Sequence, residues 1–138
     1  MKTKKSILLV EDDKVDQLTI SRVFKEIKII NELVIANNGE EALEYLRTIK
    51  NQKPGIILLD LNMPRMNGLE FLTVVKKDSE LKIIPVVVLT TSKQDSDRVA
   101  SFNGSVAGYI IKPVEYGKFV EAIKTIDLYW SLSEFSGE

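Results

Sequence analysis

The sequence predicts an α/β protein with a parallel five-stranded sheet covered by helices on both faces. Two observations lead to this prediction. Short apolar runs rich in β-branched residues recur at 6–10, 32–36, 55–59, 84–89 and 106–110. The segments between and after them have apolar residues at helical spacing, and such alternation forms right-handed βαβ units with a parallel sheet. Because the runs do not alternate apolar with polar residues, we expect both faces of the sheet to be buried.

Each of the five helices is predicted from apolar residues three or four positions apart. Asn38 precedes the second helix with Glu41 at its third position, a pattern typical of a helix start, and Pro54 and Gly55 separate this helix from the third strand. The fourth helix is the weakest prediction, because residues 93–105 are polar with few core positions. The predicted buried stripes are, in chain order, Val15, Leu18, Thr19, Val23 and Ile27; Ala42, Leu43, Leu46 and Ile49; Leu69, Leu72, Val74 and Val75; Val99 and Phe102; and Phe119, Ile123, Ile126 and Trp130.

The composition is ordinary for a globular domain and narrows the chemistry. With 44% hydrophobic and 28% charged residues, we expect one domain over 1–138, including a short C-terminal extension at about 128–138. The absence of cysteine and histidine excludes disulfides, thiolate or imidazole metal sites and histidine-based catalysis. The net charge of −1 gives no attraction to nucleic acid, and no apolar run approaches the length of a membrane span. A cytoplasmic location is expected, without nucleic-acid or membrane partners.

Chemically active side chains fall where the predicted strands end. The first strand ends into Glu11 and Asp12, the third at Asp60, the fourth at Thr90 and the fifth next to Lys112. In an open parallel sheet these strand ends lie along one edge, which is where such sheets bind ligands. Residues about a hundred positions apart are therefore expected to converge.

Clustered carboxylates repel each other and need a cation. Asp12, Asp60, a carbonyl near Asn62 and Glu11 acting through water form an all-oxygen ligand set, which suits Mg²⁺. With a hydroxyl and an ammonium beside it, such a site can bind phosphoryl oxygens, and Asp60 can serve as the nucleophile. Taken singly, each residue has a simpler explanation: Asp12 or Asp13 caps a helix, and Lys112 is a solvated lysine.

Four motifs carry a resemblance to a known family. They are ILLVEDD at 7–13, LLDLNMPRMNG at 58–68, VLTTS at 88–92 and YIIKP at 109–113. With their order and spacing, the chain resembles the receiver domain of response regulators in two-component signalling over residues 5–127. The LTTS run and the tail after residue 127 are similar to stand-alone receivers that partner phytochromes.

The resemblance implies the roles of the acidic residues. Asp60 would be the phosphoacceptor. Asp12 would bind Mg²⁺ directly, Glu11 would bind it through water, and Asn62 would contribute its main-chain carbonyl. The implied fold is the flavodoxin-like (βα)5 three-layer sandwich with strand order 2-1-3-4-5.

The resemblance also assigns residues around the acidic cluster. Thr90 and Lys112 would bind the phosphoryl oxygens, and Tyr109 would be the aromatic switch residue that follows Thr90. The bond before Pro113 would be cis. Gly68 would permit the tight turn of the third loop.

The expected function is a phosphorylation-driven switch and not a metabolic enzyme. A histidine kinase or histidine phosphotransfer protein would donate the phosphoryl group, and the surface of helix four, strand five and helix five would signal to a downstream protein that the sequence does not identify. An aspartyl-phosphate hydrolase would need an aspartate at Asn62, and a nucleotide-binding flavodoxin would need a phosphate loop in place of Glu11 and Asp12. Apolar residues at 128–138 predict a homodimer, with fold-back onto the domain as the alternative.

Overall fold

Strands and helices alternate throughout the part of the chain described by the computed structural model. The described residues are 5–26, 31–48, 53–61, 63, 65–90, 106, 108–111, 117 and 121, with the main chain alone at 90 and 108–111. The elements are β1 (Ile7–Val10), α1 (Lys14–Glu26), β2 (Leu33–Ala36), α2 (Gly39–Thr48), β3 (Ile56–Asp60), α3 (Gly68–Lys77), β4 (Val86–Thr90) and β5 (Gly108–Ile111).

The five strands form one parallel sheet in the order β2-β1-β3-β4-β5, which confirms the predicted fold class and strand order. Strand ends differ from the predicted ones by one or two residues. For example, β4 begins at Val86 and not at Ile84. Pro85 has no N–H to give to a neighbouring strand, although its carbonyl still accepts from the N–H of Ile57 at 2.9 Å.

The inner strands β1 and β3 and the described side chains of β4 are buried on both faces, as the continuous apolar runs predict, whereas the edge strand β2 is only partly buried. Along β3, Ile57 and Leu59 belong to a core with α2 and α3, whereas Ile56 and Leu58 belong to a second core with α1. Successive side chains of a strand point to opposite faces, so one short strand supplies both cores. The described residues thus form a three-layer arrangement in which α1 covers one face and α2 and α3 cover the other.

Helices α2 and α3 begin with side-chain caps that fix where the main chain turns. Asn38 accepts from the N–H of Glu41 at 2.9 Å, as its position in the sequence predicts. Glu41 does not complete a capping box, because its carboxylate accepts instead from the N–H of Asn37 at 3.0 Å. The complete box belongs to α3, where Asn67 and Glu70 exchange bonds of 2.9 and 3.1 Å.

The predicted buried face of α1 is wrong. Val15, Leu18 and Thr19 are exposed, the first two at 70% and 58%. The helix is turned so that a different set of side chains is buried: Gln17, Ile20, Val23 and Phe24. Among the described residues only Val23 belongs to both sets, and the predicted Ile27 lies outside them. The prediction followed the spacing of apolar residues, with Thr19 among them, whereas the actual face includes Gln17, whose side chain donates to the carbonyl of Glu11 after the end of β1.

The stripes of α2 and α3 are largely confirmed. Ala42, Leu43 and Leu46 are buried on α2. On α3, Leu72 and Val75 are buried together with Phe71, which was not predicted, while Leu69 and Val74 are half-buried. The fourth predicted stripe lies outside the described residues, and of the fifth helix only Gly117 and Glu121 are described, both helical.

None of the helices in the described part of the chain has the length and apolar character that a membrane span requires.

Candidate functional site

Three carboxylates meet at the carboxyl edge of the sheet. Glu11 follows β1 directly, and Asp60 is the last residue of β3. Strands β1 and β3 are neighbours, with Val10 opposite Leu59. The residues that follow these two, Glu11 and Asp60, therefore lie side by side. One oxygen from each of Glu11, Asp12 and Asp60 lies within 4.8 Å of the others.

Unlike most carboxylates, those of this cluster are largely buried. Glu11 is fully buried and Asp60 is 3% exposed, while Asp12 is half-buried. Charged groups that are withdrawn from water repel each other more strongly than exposed ones, so a cation is favoured among them. The donors are all carboxylate oxygens, and such a set fits Mg²⁺ with water completing its coordination.

Asp12 and Asp13 are alternative helix caps in the sequence, but they have different roles in the structure. Asp13 caps α1: its Oδ1 accepts from the N–H groups of Val15 and Asp16 at 2.8 and 3.2 Å. The N–H of Asp13 in turn donates to the Glu11 carboxylate at 3.2 Å. Asp12, one residue earlier, is therefore available to the acidic cluster.

The loop after Asp60 is packed closely against the end of β3. The N–H of Gly68 donates to the carbonyl of Leu61 at 3.1 Å, and a Cβ at Gly68 would lie 2.5 Å from the Asp60 carbonyl oxygen. Gly68 does not have the positive φ that only glycine adopts easily. The close approach to the main chain of Asp60 therefore explains glycine at this position, and its role in the tight turn stays a prediction.

The remaining predicted site residues are described in part or not at all. Thr90 ends β4 and pairs with Ile111 in register, and Tyr109 pairs with Val88, but their side chains lie outside the described atoms. Asn62, Lys112 and Pro113 are outside the described residues, as is the tail at 128–138. The metal contact of Asn62, the phosphoryl contacts of Thr90 and Lys112, the switch at Tyr109 and the cis bond at Pro113 stay predictions.

Two polar residues next to the acidic cluster, Gln17 and Asn37, are not predicted from the sequence. Gln17 is 7% exposed and donates to the main-chain carbonyl of Glu11 at 2.6 Å. Gln17 also donates to Asn37 at 3.0 Å. Hydrogen bonds from the main-chain and side-chain amides of Asn37 lower the pKa of Glu41 below its ordinary value. A signal was present in the sequence, since Gln17 lies three positions before Ile20 and seven before Phe24, in line with the buried stripe.

Comparisons with known proteins agree with this architecture. The family model "Response regulator receiver domain" matches residues 7–124, and the chain belongs to this family. Response regulator Rcp1 of Synechocystis sp. is 38% identical over 130 residues, covering 91% of this chain and 88% of Rcp1. These findings confirm the resemblance and establish a signalling module of two-component systems.

The solved structures to which this chain is similar include response regulators of phytochromes. The bacteriophytochrome response regulator RtBRR is 42% identical with a TM-score of 0.80, over 88% of this chain and 77% of that one. The phosphorylated cyanobacterial phytochrome response regulator RcpA is 37% identical with a TM-score of 0.79, over 93% and 94%. Rcp1 itself has a structure in a Mn²⁺-bound form, with a TM-score of 0.77 over 91% of this chain and 94% of that one.

Proposed function

We propose that this chain is a phosphoacceptor response regulator: Asp60 accepts a phosphoryl group from a histidine kinase or histidine phosphotransfer protein in the presence of Mg²⁺. The observation that carries the proposal is the convergence of Glu11, Asp12 and Asp60 at the carboxyl edge of the sheet, within 4.8 Å of one another. The phosphorylated form of RcpA and the Mn²⁺-bound form of Rcp1 support it by similarity.

Asp60 supplies the nucleophile. A carboxylate oxygen of Asp60 attacks the phosphorus of a phosphohistidine; the new P–O bond replaces the P–N bond, and the imidazole nitrogen leaves with the electron pair and takes a proton. The main chain at Asp60 is held firmly, because the next N–H, of Leu61, donates to the carbonyl of Leu89 at 3.3 Å and Gly68 packs behind it. Firm positioning keeps the carboxylate in a reactive geometry without an ordering cost at each turnover.

Asp12 and Asp60 would bind the metal directly and Glu11 would bind it through water, with the Asn62 carbonyl completing the protein ligands. Bound Mg²⁺ would neutralise charge on the phosphoryl oxygens. Thr90 and Lys112, at the ends of β4 and β5, would bind the other oxygens. Movement of Thr90 and Tyr109 would then change the surface of helix four, β5 and helix five for a partner protein.

The test replaces Asp60 by asparagine and compares it with Asp13→Asn. Both changes remove one negative charge near the end of β1 or β3, but asparagine still caps α1 at position 13. With acetyl phosphate and Mg²⁺, the wild type and Asp13→Asn should gain a phosphoryl mass that hydroxylamine removes, and Asp60→Asn should not. Equal labelling of Asp60→Asn would refute the assignment.

We also propose that the protein is a cytoplasmic dimer. The aromatic and apolar residues at 128–138 favour a dimer through the helix four, β5 and helix five surface, in a cytoplasmic protein. Sedimentation of the full chain over a micromolar concentration series, with and without beryllofluoride and Mg²⁺, tests the dimer. A monomer throughout would favour fold-back of the tail.

A further inference from the structure

A chain of hydrogen bonds joins the end of β1 to the start of α2. Gln17 Nε2 donates to the Glu11 carbonyl at 2.6 Å and to Asn37 Oδ1 at 3.0 Å. Lys14 Nζ donates to the same Asn37 oxygen at 2.9 Å. The main-chain N–H and Nδ2 of Asn37 donate to Glu41 Oε1 at 3.0 and 3.2 Å.

The donor and acceptor groups at the two ends of this network, Lys14 and Glu41, fix the direction of every hydrogen bond in it. An ammonium can only donate, so the Asn37 atom that faces Lys14 must be its oxygen. Gln17 must then present its nitrogen, which is also what the Glu11 carbonyl requires. At the other end, the Glu41 carboxylate accepts from the Asn37 amide. No alternative orientation of the two amides satisfies all the partners, so the network has a single arrangement.

This network acts on the peptide that links two of the acidic residues. The Glu11 N–H donates to the Ala36 carbonyl at 3.0 Å, and the Glu11 carbonyl belongs to the peptide bond between Glu11 and Asp12. Gln17 therefore fixes the plane from which both carboxylates project. If the hydrogen bond were lost, that peptide could rotate after the last residue of β1, and the three-carboxylate cluster would lose its alignment.

We propose that Gln17 is a positioning residue of the metal site, and that Asn37 acts through it. This inference rests on the proposed function, because it concerns the same three carboxylates. The two hydrogen bonds of Gln17 go to the main-chain carbonyl of Glu11 and to the side chain of Asn37. Its effect is on the affinity for the ion, through the Glu11–Asp12 peptide. Groups that orient metal ligands in this way typically change metal affinity by about 10–100-fold.

The experiment measures Mg²⁺ binding to the full chain by isothermal titration calorimetry. Gln17→Met keeps the length and bulk of the side chain but removes the donor, and we expect the Kd for Mg²⁺ to rise about tenfold, the lower end of that range, because the bond is to the main chain. Thr19→Val is the matched control. It removes a side-chain to main-chain bond of 3.0 Å, from Thr19 to Val15, on the same helix but away from the cluster, so its Kd should stay within about twofold of wild type.

Thermal unfolding with and without Mg²⁺ separates positioning from a general structural effect. A ligand stabilises the folded state by an amount set by its concentration relative to Kd. The increment that Mg²⁺ adds to the unfolding temperature should therefore shrink in Gln17→Met, whereas a purely structural loss would lower both curves equally and overturn the inference.

A double variant tests whether Asn37 acts through Gln17. Asn37→Ala should raise the Kd for Mg²⁺, and adding it to Gln17→Met should raise the Kd no further. If the two changes raise the Kd for Mg²⁺ additively, Asn37 does not act through Gln17. If Gln17→Met does not fold, the Kd of Asn37→Ala alone is the test. A wild type that binds no Mg²⁺ would refute the proposed function itself. A wild type that binds Mg²⁺ while Gln17→Met binds it equally well would refute only this inference.

Discussion

Replacing Gly68 by alanine is the most direct test of how the site is held. Gly68 is the first residue of α3, and in the middle of a helix alanine is about 0.5–1 kcal/mol more stable than glycine, which is an upper limit for this position. Here the added Cβ would lie 2.5 Å from the Asp60 carbonyl oxygen and 2.6 Å from the Leu61 Cα. Both are main-chain atoms at the end of β3, so neither can move aside by a change of rotamer.

The expected cost follows from these contacts. Overpacking of a filled interior typically costs about 1–3 kcal/mol, and two main-chain neighbours place this site at the upper end. After subtracting the helical gain of alanine, we expect Gly68→Ala to lose about 2 kcal/mol of unfolding free energy. Phosphorylation of Asp60 should also slow, because relief of the clash must displace Asp60, the proposed nucleophile.

Urea unfolding followed by far-ultraviolet circular dichroism measures this loss, with Gly117→Ala as the matched control. Gly117 is helical, and among the described residues a Cβ there would meet nothing within 4 Å. Gly117→Ala should therefore be as stable as wild type or more stable. The reasoning is refuted if Gly68→Ala unfolds at the same urea concentration as Gly117→Ala with an unchanged dependence on urea.

Three further predictions concern carboxylates. Asp13→Ala should lose about 1 kcal/mol of unfolding free energy with the loss of the α1 cap, while the phosphorylation rate with acetyl phosphate stays close to that of wild type; urea titration and mass spectrometry check the two effects. Asp12→Asn should do the opposite, weakening Mg²⁺ binding in calorimetry without lowering the stability of the metal-free protein, because it reduces repulsion within the cluster. Hydrogen bonds from Asn37 lower the pKa of Glu41 in the folded state. The ionised Glu41 therefore contributes fully to the free energy of unfolding above the ordinary glutamate pKa of about 4.3, and this contribution is lost as the pH falls through the lower pKa of the folded state. In an acid titration of stability, Glu41→Gln should accordingly lose less free energy of unfolding than wild type.

The strands and the carboxylate cluster were predictable because both depend on local sequence. A continuous apolar run such as Ile7–Val10 is typical of a strand buried on both faces, and the residue that follows it must emerge at the sheet edge. Glu11 and Asp60 could therefore be placed at the same edge of the sheet from their positions at the ends of parallel strands. The order of strands within the sheet is different: spacing alone does not decide it, and the resemblance to receiver domains supplied it.

The capping of the helices was only half predictable. A side chain such as Asn38 or Asp13 can be recognised as a cap from its position, but its partner depends on small rotations of the main chain. Glu41 stands at the third helical position, from which a capping box would have it accept from the N–H of Asn38, but it accepts from the N–H of Asn37. For the same reason, the choice between Asp12 and Asp13 as the cap of α1 depends on the folded main chain.

The error in α1 shows what sequence patterns omit at a functional edge. The first buried residue is Gln17 on α1, Gly39 on α2 and Gly68 on α3. None of the three is a large apolar residue, and each meets the main chain of a loop at the carboxyl edge of the sheet.

Gln17 donates to Glu11, while a Cβ on Gly39 or Gly68 would meet the main chain of Met66 or of Asp60 and Leu61. These positions are selected by contact with the main chain, which hydrophobic periodicity does not record. The first turn of a helix at this edge should therefore be assigned by asking which residue could bond or closely approach a neighbouring loop. On α1 that criterion selects Gln17, and the buried face follows from it.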